Sequence, residues 1–403
     1  MRLIRTAHPI KLGEFWENEV ANLKYAILSH RWEEDELSFQ EMTEQTEKIR
    51  QKKGYRKIAR FCERARNDGF QYVWVDTCCI NKESSAELSG AINSMFRWYL
   101  ESARCYAYLS DLSSRDQLAD SVWFTRGWTL QELVAPREMF FLDKTWTLIG
   151  SRNEICSELE NITKIDTSLL LGKSRLEQFS IAKRMLWAAT RETTRTEDRA
   201  YSLLGLFYVN MPLLYGEGNN AFIRLQEEIM RNSNDETLFA WESEDVSTEN
   251  PCGFFARSPR DFANSGDIFP ISFSSDATPC TATNRGIRIQ SPLLPPHSEA
   301  TTLVLQCSSG DGVLGIGLMS KPGTNNNEDF IRVTGCLQRQ VQFDLLFGAV
   351  LDTVYIPKTF VGTPMSTKVT CSPSCSDDLS RERTHNVPSA DHYLRFGHGV
   401  TKR

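Results

Sequence analysis

Tyr25-Ala26-Ile27-Leu28-Ser29-His30-Arg31-Trp32 is the stretch that decides the fold. Its first residues are apolar without a break, so no alternation marks one face as solvated, and the run reads as a strand buried on both sides that ends in a polar turn. Tyr72-Val73-Trp74-Val75 repeats the form and runs into Asp76-Thr77-Cys78-Cys79. So do Cys105-Tyr106-Ala107-Tyr108-Leu109, ending at Ser110-Asp111, and Met139-Phe140-Phe141-Leu142. Strands apolar on both faces belong to parallel sheets covered on both sides.

The segments between them carry helical spacing. Tyr55, Ile58, Phe61, Cys62 and Ala65 form one stripe, which Gly69 is suited to end in a left-handed conformation. Ser84 and Glu87 form a capping box before a stripe through Leu88, Ala91, Ile92, Met95, Phe96 and Tyr99. Strand and helix in alternation predict a doubly wound parallel α/β domain over residues 1–150. Right-handed crossovers gather the carboxyl ends of such strands on one edge, where ligands bind. Ser29, His30, Arg31, Trp32, Asp76 to Cys79, Ser110 and Asp111 are therefore expected around one crevice.

Beyond this domain the texture changes twice. Residues 151–240 read as a helical extension, with stripes through Leu176, Phe179, Ala182, Met185, Leu186 and Ala189 and through Ala221, Phe222, Leu225 and Ile229. The charged run from Arg191 to Arg199 within it reads as a solvated, salt-bridged helix start. Residues 241–361 alternate short β-prone runs (287–289, 302–305, 313–316, 330–333, 354–356) with Pro, Gly, Ser and Asn clusters, which predicts a small antiparallel β domain. Residues 362–403 are Ser/Thr-rich and charged, the composition of a disordered tail.

With 403 residues and a net charge of −6, both signs mixed throughout, the chain has neither a nucleic-acid footprint nor a polybasic membrane patch. It has no apolar run of the ~20 residues a membrane span needs and no secretory signal, so a cytoplasmic location is expected. The eleven cysteines are then expected to be reduced, with Cys62, Cys78, Cys79 and Cys105 as buried thiols. Cys371, Cys375, His385 and His392 match no metal-ligand spacing, and no metal site is predicted. Neither a G-x-G-x-x-G after the first strand nor a G-x-x-x-x-G-K-[ST] occurs, which removes the signatures of dinucleotide dehydrogenases and P-loop enzymes.

One carboxylate needs explaining. Glu132 sits in Ser121-Val122-Trp123-Phe124-Thr125-Arg126-Gly127-Trp128-Thr129-Leu130-Gln131-Glu132-Leu133-Val134, a run too apolar to be a solvated helix face. If Ser121 caps a helix ending before Pro136, then Thr125, Trp128 and Glu132 share one stripe. A helix starting at Thr129, with Glu132 completing a capping box, would be barely one turn long. An isolated buried charge is too costly to keep, so Glu132 is either paired with Arg126 or Arg137 or is functional.

The chain resembles the fungal heterokaryon-incompatibility (HET) domain proteins. YAILSHRW (25–32), VWVDTCCINKESSAELSGAINSMFRWY (73–99) and TRGWTLQELVAP (125–136) carry the likeness, and the blocks at 180–218 and 222–229 are similar to the extension found in vegetative-incompatibility members. The resemblance implies non-self recognition and programmed cell death, a form of fungal innate immunity, and a domain similar to the TIR fold, that is, TIR/flavodoxin-like. Catalytic TIR members hydrolyse NAD through a glutamate in a W-C-x-x-E-L-like helix, and Trp128-Thr129-Leu130-Gln131-Glu132-Leu133 is similar to it. That carries the catalytic role onto Glu132. NAD is then the substrate rather than a cofactor, with Ser29, His30, Arg31, Trp32, Asp76 and Trp128 expected to bind it. His30-Arg31-Trp32-Glu33 departs from the family's His-Thr-Trp-Gly turn. No nucleotide-binding or repeat region is present downstream, so a separate sensor protein is expected as partner, along with self-association. Two alternatives stand beside this reading: a non-catalytic self-associating signalling module, and a cysteine hydrolase using Cys78 or Cys79 with His30 and Asp76.

Overall fold

The computed structural model describes residues 1–360 apart from 247–249, 273–277, 296–299, 311, 322–327, 334–336, 342–345 and 347–349. The expected tail, with Cys371, Cys375, His385 and His392, lies outside the described residues.

The first sheet has seven strands: β1 Arg2–Arg5, β2 Lys11–Glu14, β3 Tyr25–His30, β4 Tyr72–Trp74, β5 Arg104–Tyr108, β6 Met139–Leu142 and β7 Leu148–Ser151, in the spatial order β2-β1-β4-β3-β5-β6-β7. The four strands expected from the sequence are there, and they are mutually parallel. All six residues of β3 are buried, as a central strand covered on both faces requires. The sheet is nevertheless mixed rather than wholly parallel. β1 pairs antiparallel with β4, setting Ile4 opposite Val73, β2 pairs antiparallel with β1, and β7 returns antiparallel along β6. These three strands have four residues each and bury one or two side chains at most, too little for a periodic signal.

Helices cover both faces. The Lys53–Asn67 helix buries Ile58, Phe61, Cys62 and Ala65 and gives way to Gly69 at φ +89°, and its Phe61 packs edge-on against Tyr106 of β5. The Ser85–Glu101 helix lies on the opposite face, where Tyr99 meets Trp74 of β4. Ser84 caps it through the Glu87 N–H, but Glu87 does not complete the box. Its carboxylate takes the Asn81 N–H and pairs with Arg2 of β1, tying the added strand to the helix.

The Ser121 helix is the clearest departure. Ser121 does cap, yet it caps only one 3-10 turn, Val122–Thr125; the chain then breaks at Arg126-Gly127 and starts a separate helix, Thr129–Val134. The break exists because the Gly127 N–H bonds to Glu192 O (2.8 Å) and Thr125 O accepts from the Glu192 N–H (2.7 Å), two backbone bonds to a residue far along the chain. Asp111 is committed to the same turn, taking the Ser121 hydroxyl and the Val122 N–H, each at 2.8 Å.

Downstream come the helices Ile181–Leu186, Asp198–Tyr201 and Asn220–Asn232, and the 3-10 turn Leu204–Phe207 between the last two packs on the Ser85–Glu101 helix of the α/β unit. At Gly205 an added Cβ would stand 2.2 Å from Phe96 Cβ, so only glycine lets this segment close on the Ser85–Glu101 helix. The second sheet is antiparallel, with Gly286–Leu294, Thr301–Ser309, Gly312–Ser320, Phe330–Arg332 and Leu351–Ile356 containing the expected β runs. Among the described residues one large apolar cluster runs from Leu3 to Ile356, and a small separate one gathers Val304, Val313, Val341 and Leu346. Among the described residues no helix is long and apolar enough to cross a membrane.

Candidate functional site

The order β4-β3-β5-β6 means that the chain leaves β3 to one side and returns to its other side at β5. The strand-order reversal therefore lies beside β3, and crevices at such reversals, outside the carboxyl ends of parallel strands, are where open α/β sheets bind ligands. Ser29 and His30 end β3 at this place, opposite Ala107 and Tyr108 of β5.

Successive residues of a strand point to opposite faces, so the expected crevice divides in two. On the face of the Thr129–Val134 helix, Ser29 donates its hydroxyl to Glu132 Oε2 and accepts the indole N–H of Trp123 at 2.9 Å. The Tyr99 hydroxyl bonds to Leu28 O (3.3 Å) and is also a hydrogen-bond partner of Glu132. Only 8% of Glu132 is exposed. Burial pushes its carboxyl up to about 8 from the usual 4.5, and the negative charge of Asp76 acts in the same sense; the Ser29 and Tyr99 hydrogen bonds and the charge of Arg191 oppose it. Glu132 is thus mostly protonated at neutral pH. Neither Arg126 nor Arg137 faces it in a salt bridge. Arg126 reaches Thr194 instead, and the cation within range is Arg191.

Arg191 belongs to the run expected to be solvated, and the structure corrects that: it is 9% exposed. It donates to Trp187 O, Arg126 O and Thr129 Oγ1 at 3.0–3.1 Å, while its Nη2 has no hydrogen-bond partner. Burial lowers its pKa to about 9, with Glu132 acting in the opposite direction. A buried arginine is strongly favoured only with its donors occupied; here the Arg126 carbonyl and Thr129 hydroxyl at the start of the Thr129–Val134 helix, with Trp187 O, hold it beside, rather than on, the carboxyl.

On the other face His30 is sandwiched between carboxylates. Its Nε2 stands 3.1 Å from Asp76 Oδ1, and its Nδ1, without a hydrogen bond, 3.7 Å from Glu36 Oε1, which Lys57 neutralises. Trp32 donates its indole N–H to Asp76 Oδ2 at 2.7 Å and carries the Lys82 ammonium 3.3 Å above its ring. Although burial works against it, the His30 hydrogen bond, with the Lys82 charge and the Trp32 N–H, holds Asp76 down at about 2. Half of the Trp32 surface is exposed, which makes it the aromatic face at this edge open to a ligand. Arg31 is exposed beside it. Trp128 does not join either cluster: it is a hydrogen-bond partner of Asp198 and packs against the core.

The two cysteines make no nucleophile. Cys78 and Cys79 are 0% and 3% exposed, burial holds the Cys78 thiol well above its ordinary range, and the Cys79 sulfur takes the Val75 N–H. Trp123, Tyr99 and Arg191 are the site residues that sequence reasoning missed. Tyr99 stood in an apolar stripe and Trp123 in an apolar run, so both read as core.

The comparisons with known proteins meet this geometry at β3. The family model for heterokaryon incompatibility protein (HET) matches residues 25–121, from the first residue of β3 to the cap of the 3-10 turn. The chain carries a HET domain. Ser29, His30, Asp76, Tyr99 and Ser121 fall within the match, and Glu132 lies just past it. A model for a domain of unknown function (DUF8212) matches residues 220–253, beginning at the Asn220–Asn232 helix. The chain is 47% identical over 220 residues to the vegetative incompatibility protein HET-E-1 of Podospora anserina, a stretch that makes up 51% of this chain and 16% of that protein. The chain therefore spans only a small part of its relative's length. No solved structure gives a significant match.

Proposed function

We propose that this chain is an effector of heterokaryon incompatibility, acting in fungal non-self recognition and cell death, and that its HET domain is TIR-like and cleaves the nicotinamide–ribose bond of NAD through Glu132. The similarity to HET-E-1 supports the biological role, and the parallel order β4-β3-β5-β6, which corresponds to 2-1-3-4 among the parallel strands, supports a flavodoxin-like relationship. The observation that carries the chemistry is Glu132 itself, a carboxyl held near 8 against Ser29 at the strand-order reversal. Strong pKa perturbation in such a place marks functional carboxyls.

In this reaction the C1′–N bond breaks, nicotinamide leaves with the bonding pair, water supplies the new C1′–O bond and one proton is released. The sugar passes through an oxocarbenium-like state, which a carboxylate stabilises. A cationic substrate beside Glu132 favours its ionised form and so draws the proton off the carboxyl when the ligand is bound. Trp32, on the other side of β3 from Glu132 with Lys82 over its ring, and Arg31 beside it offer an exposed ring and an exposed cation to the part of the dinucleotide remote from the scissile bond.

A second reading is favoured by the 8% exposure of Glu132. In it the carboxyl is a neutral tie between the Thr129–Val134 helix and β3, and the domain signals by self-association, with a separate sensor protein as trigger. Expression of the chain and of Glu132→Gln in fungal cells separates the two. Cell death with NAD depletion in the parent, and neither in the variant, is expected. Death that persists in the variant with NAD unchanged rejects the enzymatic reading and favours the second.

A further inference from the structure

We infer that a polar cavity between the Arg191–Ser202 segment on one side and Ser243, Asp245 and residues 257–261 on the other is a binding site for a phosphorylated sugar. The cavity measures about 420 Å3, a volume suited to a small ligand. Arg199, Arg257 and Arg260 stand on its wall; all three are exposed, and none makes a side-chain hydrogen bond or ion pair with the described residues. Arg191 lines it from the buried side. Guanidiniums gathered on one wall repel one another, and an oxyanion relieves that repulsion while taking paired N–H donors from each fork.

Against the four arginines the wall sets three carboxylates, Glu192, Asp245 and Asp261, which leaves one net positive charge. The Asp261 carboxylate lies in the field of Arg257 and takes the backbone N–H groups of Arg257 and Ser258, at 2.9 and 3.2 Å. Glu192 and Asp245 are exposed acceptors, which suit sugar hydroxyls in the way an acidic residue takes a ribose hydroxyl in dinucleotide folds. None of the described residues that line the cavity is aromatic, so they offer no platform on which a base could stack. Donors for a phosphate and acceptors for hydroxyls, without a stacking surface, select a sugar phosphate over an inorganic ion or a nucleobase.

The site also touches the Glu132 helix from outside. Glu192 is joined to Thr125 and Gly127 by backbone hydrogen bonds, and Arg191 donates to Arg126 O and Thr129 Oγ1. A ligand here braces the turn that starts this helix, and its binding needs nothing from Glu132.

The test is calorimetric titration of the purified full chain with ribose 5-phosphate, inorganic phosphate and ribose, repeated on Arg199→Gln and Arg260→Gln. Ribose 5-phosphate is expected to bind, inorganic phosphate about tenfold more weakly, and ribose not at all, with each substitution weakening ribose 5-phosphate about tenfold. The melting temperature without ligand should be unchanged in both variants, since neither side chain has a protein partner among the described residues. No binding of ribose 5-phosphate to the parent, or equal binding by both variants, overturns the site. Inorganic phosphate binding as tightly as ribose 5-phosphate overturns its assignment to a sugar phosphate.

Discussion

Replacing Glu132 by glutamine should make the protein more stable at pH 8 and nearly indifferent at pH 5. The folded chain holds this carboxyl at about 8, against 4.5 where it is free of the fold. The folded state therefore binds the proton more tightly than the unfolded state, and the resulting stability is fully present below pH 4.5 and is lost as pH rises toward 8. At about 1.4 kcal/mol per pH unit, the parent loses roughly 4 kcal/mol between those limits and less than about 1 kcal/mol by pH 5. Glutamine is neutral throughout and keeps the shape, so any constant difference in hydrogen bonding to Ser29 and Tyr99 appears equally at every pH. Urea unfolding of both proteins from pH 5 to pH 8 reads the effect as the change in their stability difference, expected to grow by about 3 kcal/mol in favour of the variant. A flat difference across this range would show that Glu132 is ionised in the folded chain and would refute the argument from burial. A carboxyl kept at such cost is a sign of use, since neutral replacements are readily available to a chain under selection for stability alone.

The packing dictates three further outcomes. Asp76, held at about 2 by its partners, adds stability above pH 4 that is lost as pH falls toward 2; acid unfolding of Asp76→Asn should lack about 2 kcal/mol of this dependence. Cys78 and Cys79 should resist iodoacetamide in the native protein at neutral pH and react after unfolding, as mass spectrometry of the labelled peptides would show; rapid native labelling of either would contradict their burial. Gly205→Ala should lower stability by about 1–3 kcal/mol in thermal unfolding, because its methyl group would overlap Phe96 at the seam between the α/β unit and the helical segment.

The four parallel strands were legible because burial on both faces leaves an unbroken apolar run, as in Tyr25–Leu28. β1, β2 and β7 were not, since each is a short strand whose place is fixed by pairing with a neighbour rather than by its own periodicity. Glu132 stood out as one charge inside an apolar run, and Ser29 as the end of the first strand. What joins them is a contact across 103 residues, which no local spacing encodes. Arg191 shows the reverse failure. A run of charges looks solvated from composition, yet Arg126 O, Thr129 Oγ1 and Trp187 O draw Arg191 inside. The break at Gly127 was hidden for the same reason, because its cause is the backbone of Glu192.

The most direct test of the account is nicotinamide release from NAD by the purified full chain, measured beside the Glu132→Gln variant after circular dichroism has shown that both are folded. Release by the parent that falls at least about a hundredfold in the variant is the predicted result. Turnover by Glu132→Gln at the parent's rate would contradict the central role given to this carboxyl.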